Sequence, residues 1–114
     1  MTAMQTAALP SSLLSVEIAE GRAAVSVHVR GELDRYTEGR LVRAFERLWS
    51  QPALPPLVRV DLSGLQFIDS SGLAVLIRTE LRAQELGRRL VVCKPTTAIA
   101  RIFEVTGLTG MLGA

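Results

Sequence analysis

The sequence contains few of the residues on which metal, thiol and disulfide chemistry depend. Its 114 residues include one cysteine, Cys93, and one histidine, His28. A single thiol leaves no partner for an internal disulfide, and one cysteine with one histidine is too few for a zinc site. Cys93 stands within an apolar run, so we expect a buried, reduced side chain. The sequence therefore predicts no bound metal and no cofactor.

Long hydrophobic runs and a strong charge of one sign are absent as well. No stretch has the roughly 18 to 20 apolar residues that a membrane span needs, and residues 1–10 lack the charged-then-apolar layout of a secretory signal. The 13 basic and 11 acidic residues leave a net charge of +2, with arginines distributed along the chain. Nucleic-acid-binding domains usually concentrate basic residues on one face. We therefore expect a cytoplasmic protein with no membrane span and no direct nucleic-acid contact.

Apolar periodicity predicts four strands and three helices in the order β-β-α-β-α-β-α. Only residues 20–22, which include the turn signal Glu20-Gly21, separate the first two strands, and so short a turn imposes antiparallel pairing. The later strands follow helices, which favours parallel neighbours. We expect one small α/β domain, residues 13–114, with a mixed four- to five-stranded sheet packed against helices, after a flexible tail over residues 1–12. The predicted strands are 13–19, 23–30, 57–68 (in two pieces separated at Ser63-Gly64) and 89–93; the predicted helices are 37–50, about 71–86, and Thr96 to Gly107.

Each predicted helix has an apolar side expected to face the sheet and residues suited to begin or end it. Asp34 or Thr37 is placed to cap the first helix, and Thr96 the third. Gly87 suits the left-handed conformation that follows the second helix. The expected buried sides are Leu41, Ala44, Phe45, Leu48 and Trp49 in the first helix; Leu73, Leu76, Ile77 and Leu81 in the second; and Ile99, Ile102, Phe103 and Val105 in the third.

The join between the third strand and the second helix, Asp69-Ser70-Ser71-Gly72, concentrates the candidate functional residues. A serine on a strand-to-helix turn is typical of some hydrolases, but their G-x-S-x-G pattern is absent. Nothing in the sequence brings His28 within hydrogen-bond reach of a serine. The phosphate-binding patterns G-x-G-x-x-G and G-x-x-x-x-G-K-S/T are absent too. We therefore predict no catalytic residues and no enzyme activity.

A serine at a helix start allows two interpretations. The first backbone N–H groups of a helix are unpaired and its dipole is positive there, so the position accommodates a phosphoryl group. Serine and aspartate are equally common as plain helix caps. Spacing alone leaves both roles open for Ser70, and Asp34 has the same capping role before the first helix.

Five segments share their order and spacing with one known family. They are Gly31-Glu32-Leu33-Asp34 with Thr37; Val60-Asp61-Leu62; Phe67-Ile68-Asp69-Ser70-Ser71-Gly72-Leu73, the most specific; Leu90-Val91-Val92-Cys93; and Ile102-Phe103-Glu104-Val105-Thr106-Gly107-Leu108. Through them the chain resembles STAS-domain proteins, specifically the bacterial anti-sigma factor antagonists, over roughly residues 13–112.

The resemblance implies a phosphorylation switch. In that family the serine after the motif's aspartate, here Ser70, is phosphorylated by a serine kinase that is itself the anti-sigma factor. The unmodified antagonist binds the kinase and releases a sigma factor; phosphorylation ends the binding, and a serine phosphatase restores it. By the same resemblance, Asp34 contributes to partner contact, and Asp69, Ser71 and Gly72 shape the partner-binding loop around Ser70.

The sequence departs from this family in two places, and two other functions agree with its residues. The bulky Arg35-Tyr36 after Asp34 could alter which partner fits, and the sequence stops soon after Leu112, where relatives can carry a longer helix. The chain could instead be a STAS scaffold of a stress complex or lipid-transport system without phosphorylation. It could also sense a small molecule or nucleotide near the same loop. Partner identity distinguishes the scaffold, and ligand-dependent melting distinguishes the sensor.

Overall fold

The structure is a computed structural model that describes residues 13–113. Its strands and helices follow one another in the predicted order. The tail predicted over residues 1–12 lies outside the described residues. A short 3-10 turn, Thr109–Met111, follows the last helix. The elements are β1 (Leu14–Glu20), β2 (Ala24–Leu33), α1 (Glu38–Trp49), β3 (Leu57–Ile68), α2 (Ser70–Glu85), β4 (Arg89–Cys93) and α3 (Thr97–Val105).

The four strands form one mixed sheet in the order β1-β2-β3-β4. β1 pairs antiparallel with β2, whereas the β2–β3 and β3–β4 pairs are parallel. Both parallel connections advance in the same direction across the sheet, so right-handed crossovers place α1 and α2 on one face, where they contact each other. The expected fifth strand is reduced to a single parallel bridge between Val92 and Leu112. The predicted fold class is confirmed.

Alternation along β2 determines which side of the sheet carries the core. Val25, Val27 and Val29 are fully buried on the face that the helices cover. His28 lies between two of them and points to the opposite, polar face. Removing these apolar side chains from water is the main favourable term in folding. The helices can therefore cover only this face of the sheet. This orientation fixes the positions of the loops that connect the strand ends to the helices.

β2 is longer than predicted, and β3 has the predicted bounds but no break. β2 continues past Arg30 to Leu33, and β3 runs unbroken through Ser63-Gly64. The expected break was wrong because Ser-Gly favours a turn locally, whereas pairing with β2 continues through two register shifts that absorb the irregularity. The extension brings Leu33 beside Ile68 as a register pair at the end of both strands.

Two apolar positions expected to be buried in helices are exposed. Leu81 is 53% exposed and Val105 is 74% exposed. Leu81 lies five residues after Leu76, and Val105 lies two after Phe103, so at 3.6 residues per turn both point away from the buried side. The other positions expected to be buried are fully or partly buried against the core.

The ends of α2 and α3 agree with the capping predictions. The Thr96 hydroxyl accepts a hydrogen bond from the Ile99 N–H at 3.2 Å and caps α3. Gly87 follows α2 with φ of +71°, and Gly107 follows α3 with φ of +74°. Both glycines occupy the left-handed region that ends helices at low steric cost.

Candidate functional site

Asp34 and Asp69 follow the carboxyl ends of two neighbouring parallel strands. Leu33 and Ile68, the last residues of β2 and β3, are register partners, so the two aspartates leave the same edge of the sheet side by side. The Asp69 N–H donates to the carbonyl oxygen of Leu33 at 3.2 Å and joins the two strand ends. The structure thus brings Asp34 to the loop that carries Asp69, Ser70, Ser71 and Gly72.

Asp69 is the cap of α2. Its Oδ1 accepts a hydrogen bond from the Gly72 N–H at 3.0 Å, and its carbonyl accepts one from the Leu73 N–H at 3.0 Å. Because the cap is the aspartate, α2 begins at Ser70, one residue earlier than predicted. Asp69 therefore performs the capping role that the sequence left open for Ser70.

Ser70 is an exposed residue in the first turn of α2. Within residues 13–113, its hydroxyl forms no hydrogen bond, and the N–H groups of Ser70 and Ser71 have no acceptor. Unpaired N–H groups and the positive end of the helix dipole favour a negatively charged group at this position. The hydroxyl is therefore accessible to an enzyme, and the position can accommodate a phosphate.

Gly72 allows the first turn of α2 to pack directly on the end of β2. Gly72 is buried, and a Cβ built on it would lie 2.7 Å from the carbonyl oxygen of Leu33 and 2.8 Å from Cγ1 of Ile68. No larger residue fits without moving backbone. Gly72 therefore holds the serine loop against the strand end that precedes Asp34.

Asp34 stabilises the turn that leads into α1. Its Oδ1 accepts hydrogen bonds from the N–H groups of Tyr36 at 2.9 Å and Thr37 at 3.1 Å. The hydroxyl of Thr37 donates to the carbonyl of Glu32 at 2.8 Å, and Thr37 makes no side-chain cap bond to α1. The helix begins at Glu38, and Thr37 occupies its N-cap position as predicted, but without a side-chain cap bond. The Asp34 carboxylate caps the approach turn instead.

Two exposed aromatic side chains belong to the same edge of the sheet. Tyr36, in the turn after Asp34, is 74% exposed, and Phe67, near the end of β3, is 49% exposed. The Arg35 guanidinium holds the tyrosine, with Nη2 donating to the tyrosine hydroxyl at 2.7 Å and Cζ 4.8 Å from the ring centroid. Exposed, ordered aromatics are common anchors of protein interfaces. Sequence analysis missed Phe67 as a surface residue because an aromatic in a strand usually indicates core.

His28 is placed away from this edge, on the polar face of the sheet. Its Nδ1 lies 3.4 Å from Oδ2 of Asp61, its partner across the β2–β3 ladder. Burial raises the pKa of Asp61, but hydrogen bonding from Ser63 and the charges of His28 and Lys94 outweigh it and leave that pKa below its ordinary value. His28 thus pairs with an aspartate in mid-sheet, and no serine among residues 13–113 is its partner.

A metal-binding cluster and a membrane-spanning helix are both absent from residues 13–113. In the described part of the chain, no three His, Cys, Asp or Glu side chains are grouped to hold a metal ion. None of the helices found there combines the length and apolar character required to cross a bilayer.

A mixed four-stranded sheet with two helices on one face and a polar strand-to-helix loop at its edge defines a small α/β domain built around a surface site. Residues 16–113 match the family described as "Mlab, STAS domain". The chain belongs to the STAS domain family.

Relatives of known role are similar over most of the chain. The anti-sigma-B factor antagonist of Listeria monocytogenes is 28% identical over 100 residues, covering 87% of this chain and 86% of the relative. An anti-sigma factor antagonist from Mycobacterium paratuberculosis is structurally similar, with a TM-score of 0.74 at 25% identity over 87% of this chain and 82% of that chain. The antagonist SpoIIAA in its unphosphorylated form gives 0.71 at 17% identity over 87% and 86%. The phosphorylated form of Bacillus SpoIIAA gives 0.67 at 19% identity over 87% and 89%.

Proposed function

We propose that this protein is a non-enzymatic, cytoplasmic anti-sigma factor antagonist controlled by phosphorylation of Ser70. In the unmodified state it binds an anti-sigma factor that is also a serine kinase, and so releases a sigma factor. The observation that carries the proposal is the exposed Ser70 hydroxyl in the first turn of α2, free of hydrogen bonds within residues 13–113. Asp34, Asp69 and Ser71 surround it as the partner-binding surface, and the buried Gly72 belongs to the site by holding this loop in place.

The relatives support this proposal. Both the Listeria and the Mycobacterium proteins are anti-sigma factor antagonists, and the first is similar over nearly its full length. SpoIIAA is an antagonist with an unphosphorylated and a phosphorylated form, and this chain has a similar fold to both. A phosphate on that protein therefore leaves the fold intact, as expected for a switch that acts at the surface.

The physical basis of the switch is the different cost of a phosphate in the free and bound protein. Phosphorylation adds about −1.5 to −2 charges. In the free protein, the unpaired N–H groups at the start of α2 and bulk water accommodate that charge. In the complex, the same group must lose its water beside Asp34 and Asp69 and against the partner. Like charges brought together in an interface cost several kcal/mol, and at about 1.4 kcal/mol per tenfold this weakens binding by roughly two to three decades.

The cycle then needs only two further activities. The anti-sigma kinase transfers a phosphoryl group to the Ser70 hydroxyl, and a separate serine phosphatase removes it from the same exposed position. Because the cap bond of Asp69 is made to Gly72 and does not use the Ser70 side chain, α2 keeps its cap in both states. Regulation of transcription is therefore indirect, through release or capture of the anti-sigma factor.

The test compares binding of wild type, Ser70→Ala and Ser70→Asp to the kinase-type anti-sigma factors of the source organism. Wild type and Ser70→Ala should bind, and Ser70→Asp should bind about a hundredfold more weakly. Kinase and ATP should label wild type but not Ser70→Ala. Ser15→Asp is the matched control, because Ser15 is an exposed strand residue on the polar face. Equal binding by wild type and Ser70→Asp would contradict the charge mechanism.

A further inference from the structure

Arginines that are spread along the sequence gather on one side of α1. Arg40, Arg43 and Arg47 are spaced at i, i+3 and i+7, so they share one stripe of the helix, and all three are exposed. They line a concavity of about 220 Å³. With Arg35 from the preceding turn, we call these four residues the arginine groove.

The groove begins at the same end of the sheet as the Ser70 site and runs along the side of α1 that faces away from α2, where Arg40 Nη1 donates to the carbonyl oxygen of Leu14 at 3.5 Å. A second concavity, of about 580 Å³, shares Arg40 and Arg43 with the first and adds Arg35 and Tyr36. α1 and α2 each begin just beyond the carboxyl end of a parallel strand, at one edge of the sheet. From that edge the stripe extends along α1 for roughly 10 Å beyond Arg40, at about 1.5 Å per residue.

The positive charge of the arginine groove is largely not neutralised by carboxylates among residues 13–113. Glu38 is the acid that lines the groove, and Glu46 lies on the side of α1 that faces α2. The ion pairs within residues 13–113 are His28–Asp61, Arg30–Glu17 and Arg82–Glu85. No arginine of α1 takes part in them, so the groove keeps a net positive charge.

Gly39 contributes to the shape of the groove. A Cβ built on Gly39 would lie 3.1 Å from Nη1 of Arg43, so the guanidinium lies back over the first turn of α1. This brings Arg43 toward Arg35 and Tyr36, which line the same concavity. The arrangement presents planar guanidinium groups, which bind carboxylates through paired hydrogen bonds.

We propose that the anti-sigma factor lays an acidic segment along the arginine groove when it covers Ser70. The proposal rests on the proposed function and assigns the partner a second contact. A standard interface buries about 800 Å² on each protein, an area larger than the Ser70 loop alone offers. The groove supplies adjoining area with one sign of charge, and complementary charge fixes the orientation of a partner and speeds its association.

A protein segment fits this surface better than nucleic acid or an anionic membrane. Asp34 and Asp69 adjoin the positive groove at the same sheet edge, and their charges repel a phosphate backbone or a lipid headgroup layer. A protein partner can present a positive group to the aspartates and a negative segment to the groove, and so match both signs.

The experiment measures binding of the full chain to the anti-sigma factor identified in the Ser70 test, at low and high salt. The groove variant is Arg43→Glu with Arg47→Glu. Its matched control is Arg22→Glu with Arg101→Glu, which makes the same charge change at exposed positions in the β1–β2 turn and on α3. Melting curves of both variants verify folding. Parallel measurements use duplex DNA and phosphatidylglycerol vesicles as probes.

We expect the groove variant to bind at least about tenfold more weakly than wild type, chiefly through slower association, with a smaller dependence on salt. The control should bind like wild type. Unchanged affinity of the groove variant would overturn the proposal while leaving the Ser70 switch intact. Loss of DNA or vesicle binding with unchanged anti-sigma factor binding would overturn it in favour of those ligands. If wild type binds no anti-sigma factor, the proposed function fails together with the groove.

Discussion

The backbone N–H of Asp69 donates to the carbonyl oxygen of Leu33 at 3.2 Å, and this same oxygen is the nearest atom to an ideal Cβ on Gly72, at 2.7 Å. One carbonyl at the end of β2 therefore contacts both the cap and the first turn of α2. The position of Asp34, one residue further along, is tied to the position of Ser70 through these contacts. The site is preorganised by backbone, which suits a switch that changes charge and keeps its shape.

Gly72→Ala should destabilise the protein. Its Cβ would meet backbone and the fully packed side chains of Leu33 and Ile68, so relief requires α2 to move away from the sheet. We expect a loss of about 1–3 kcal/mol in the free energy of unfolding, typical of overpacking, measured by urea denaturation. Gly110→Ala is the control, because a Cβ at Gly110 meets nothing within 4 Å. Equal stability of Gly72→Ala and wild type would show that the α2–β2 contact is adaptable.

Asp69→Ala should cost about 0.5–2 kcal/mol of stability through loss of the helix cap. The stability of Asp69→Asn should stay close to that of wild type. The asparagine side-chain oxygen can accept the hydrogen bond from the Gly72 N–H that the aspartate accepts at 3.0 Å. The comparison separates the cap from the charge. Thermal unfolding of both variants gives the measurement, and an equal loss in the two would mean that charge, and no cap bond, stabilises the helix start.

The sequence predicts elements whose signals are local. Valine alternation in β2, the cap residue Thr96 and the glycine at position 87 all depend on nearby residues, and their positions agree with the structure. The continuity of β3 through Ser63-Gly64 depends on its pairing with β2, which no local pattern records. The serine motif was found because it is contiguous.

The groove was missed for a related reason. Its arginines are separated in sequence by two or more other residues, so only the turn of the helix collects them on one side. Tyr36 was noted only for its bulk, and its ordering by Arg35 required side-chain positions.

Asp61→Asn should lower stability at neutral pH and reduce the loss on acidification. Asp61 has a pKa below its ordinary value in the folded protein. A lowered folded-state pKa stabilises the protein above the unfolded value, and this contribution disappears as pH falls through the folded value. Urea unfolding should therefore show a gap of roughly 0.5–1.5 kcal/mol between wild type and variant at pH 7. The gap should be narrower near pH 3, as the pH approaches the lowered folded-state pKa.

The matched control for this acid test is Glu85→Gln. Glu85 forms an exposed pair with Arg82 at 3.2 Å, and exposed pairs contribute little to stability. We expect it to follow wild type at both pH values. A gap for Asp61→Asn that stays constant between the two pH values would mean that the variant perturbs packing and that the charge of Asp61 is irrelevant.

Cys93 should react slowly with thiol reagents while the protein is folded. Cys93 is buried, and this burial, with a smaller effect of the Asp61 charge, raises the pKa of its thiol above the ordinary value. Since the thiolate is the nucleophile, both effects suppress reaction near neutral pH, and the rate should rise only in more alkaline solution. Reaction then requires an opening of the structure, so we expect labelling to be on the order of a hundredfold slower than in urea.

The control is an exposed thiol, Ser15→Cys in a Cys93→Ser background, which should react at a similar rate in native buffer and in urea. At the β4 edge of the sheet, Leu112 pairs with Val92 in a parallel bridge, and the Gly113 N–H donates to the Val92 carbonyl at 2.8 Å, so both cover the neighbourhood of Cys93. If native Cys93 reacted as fast as the control thiol, this edge would have to open freely.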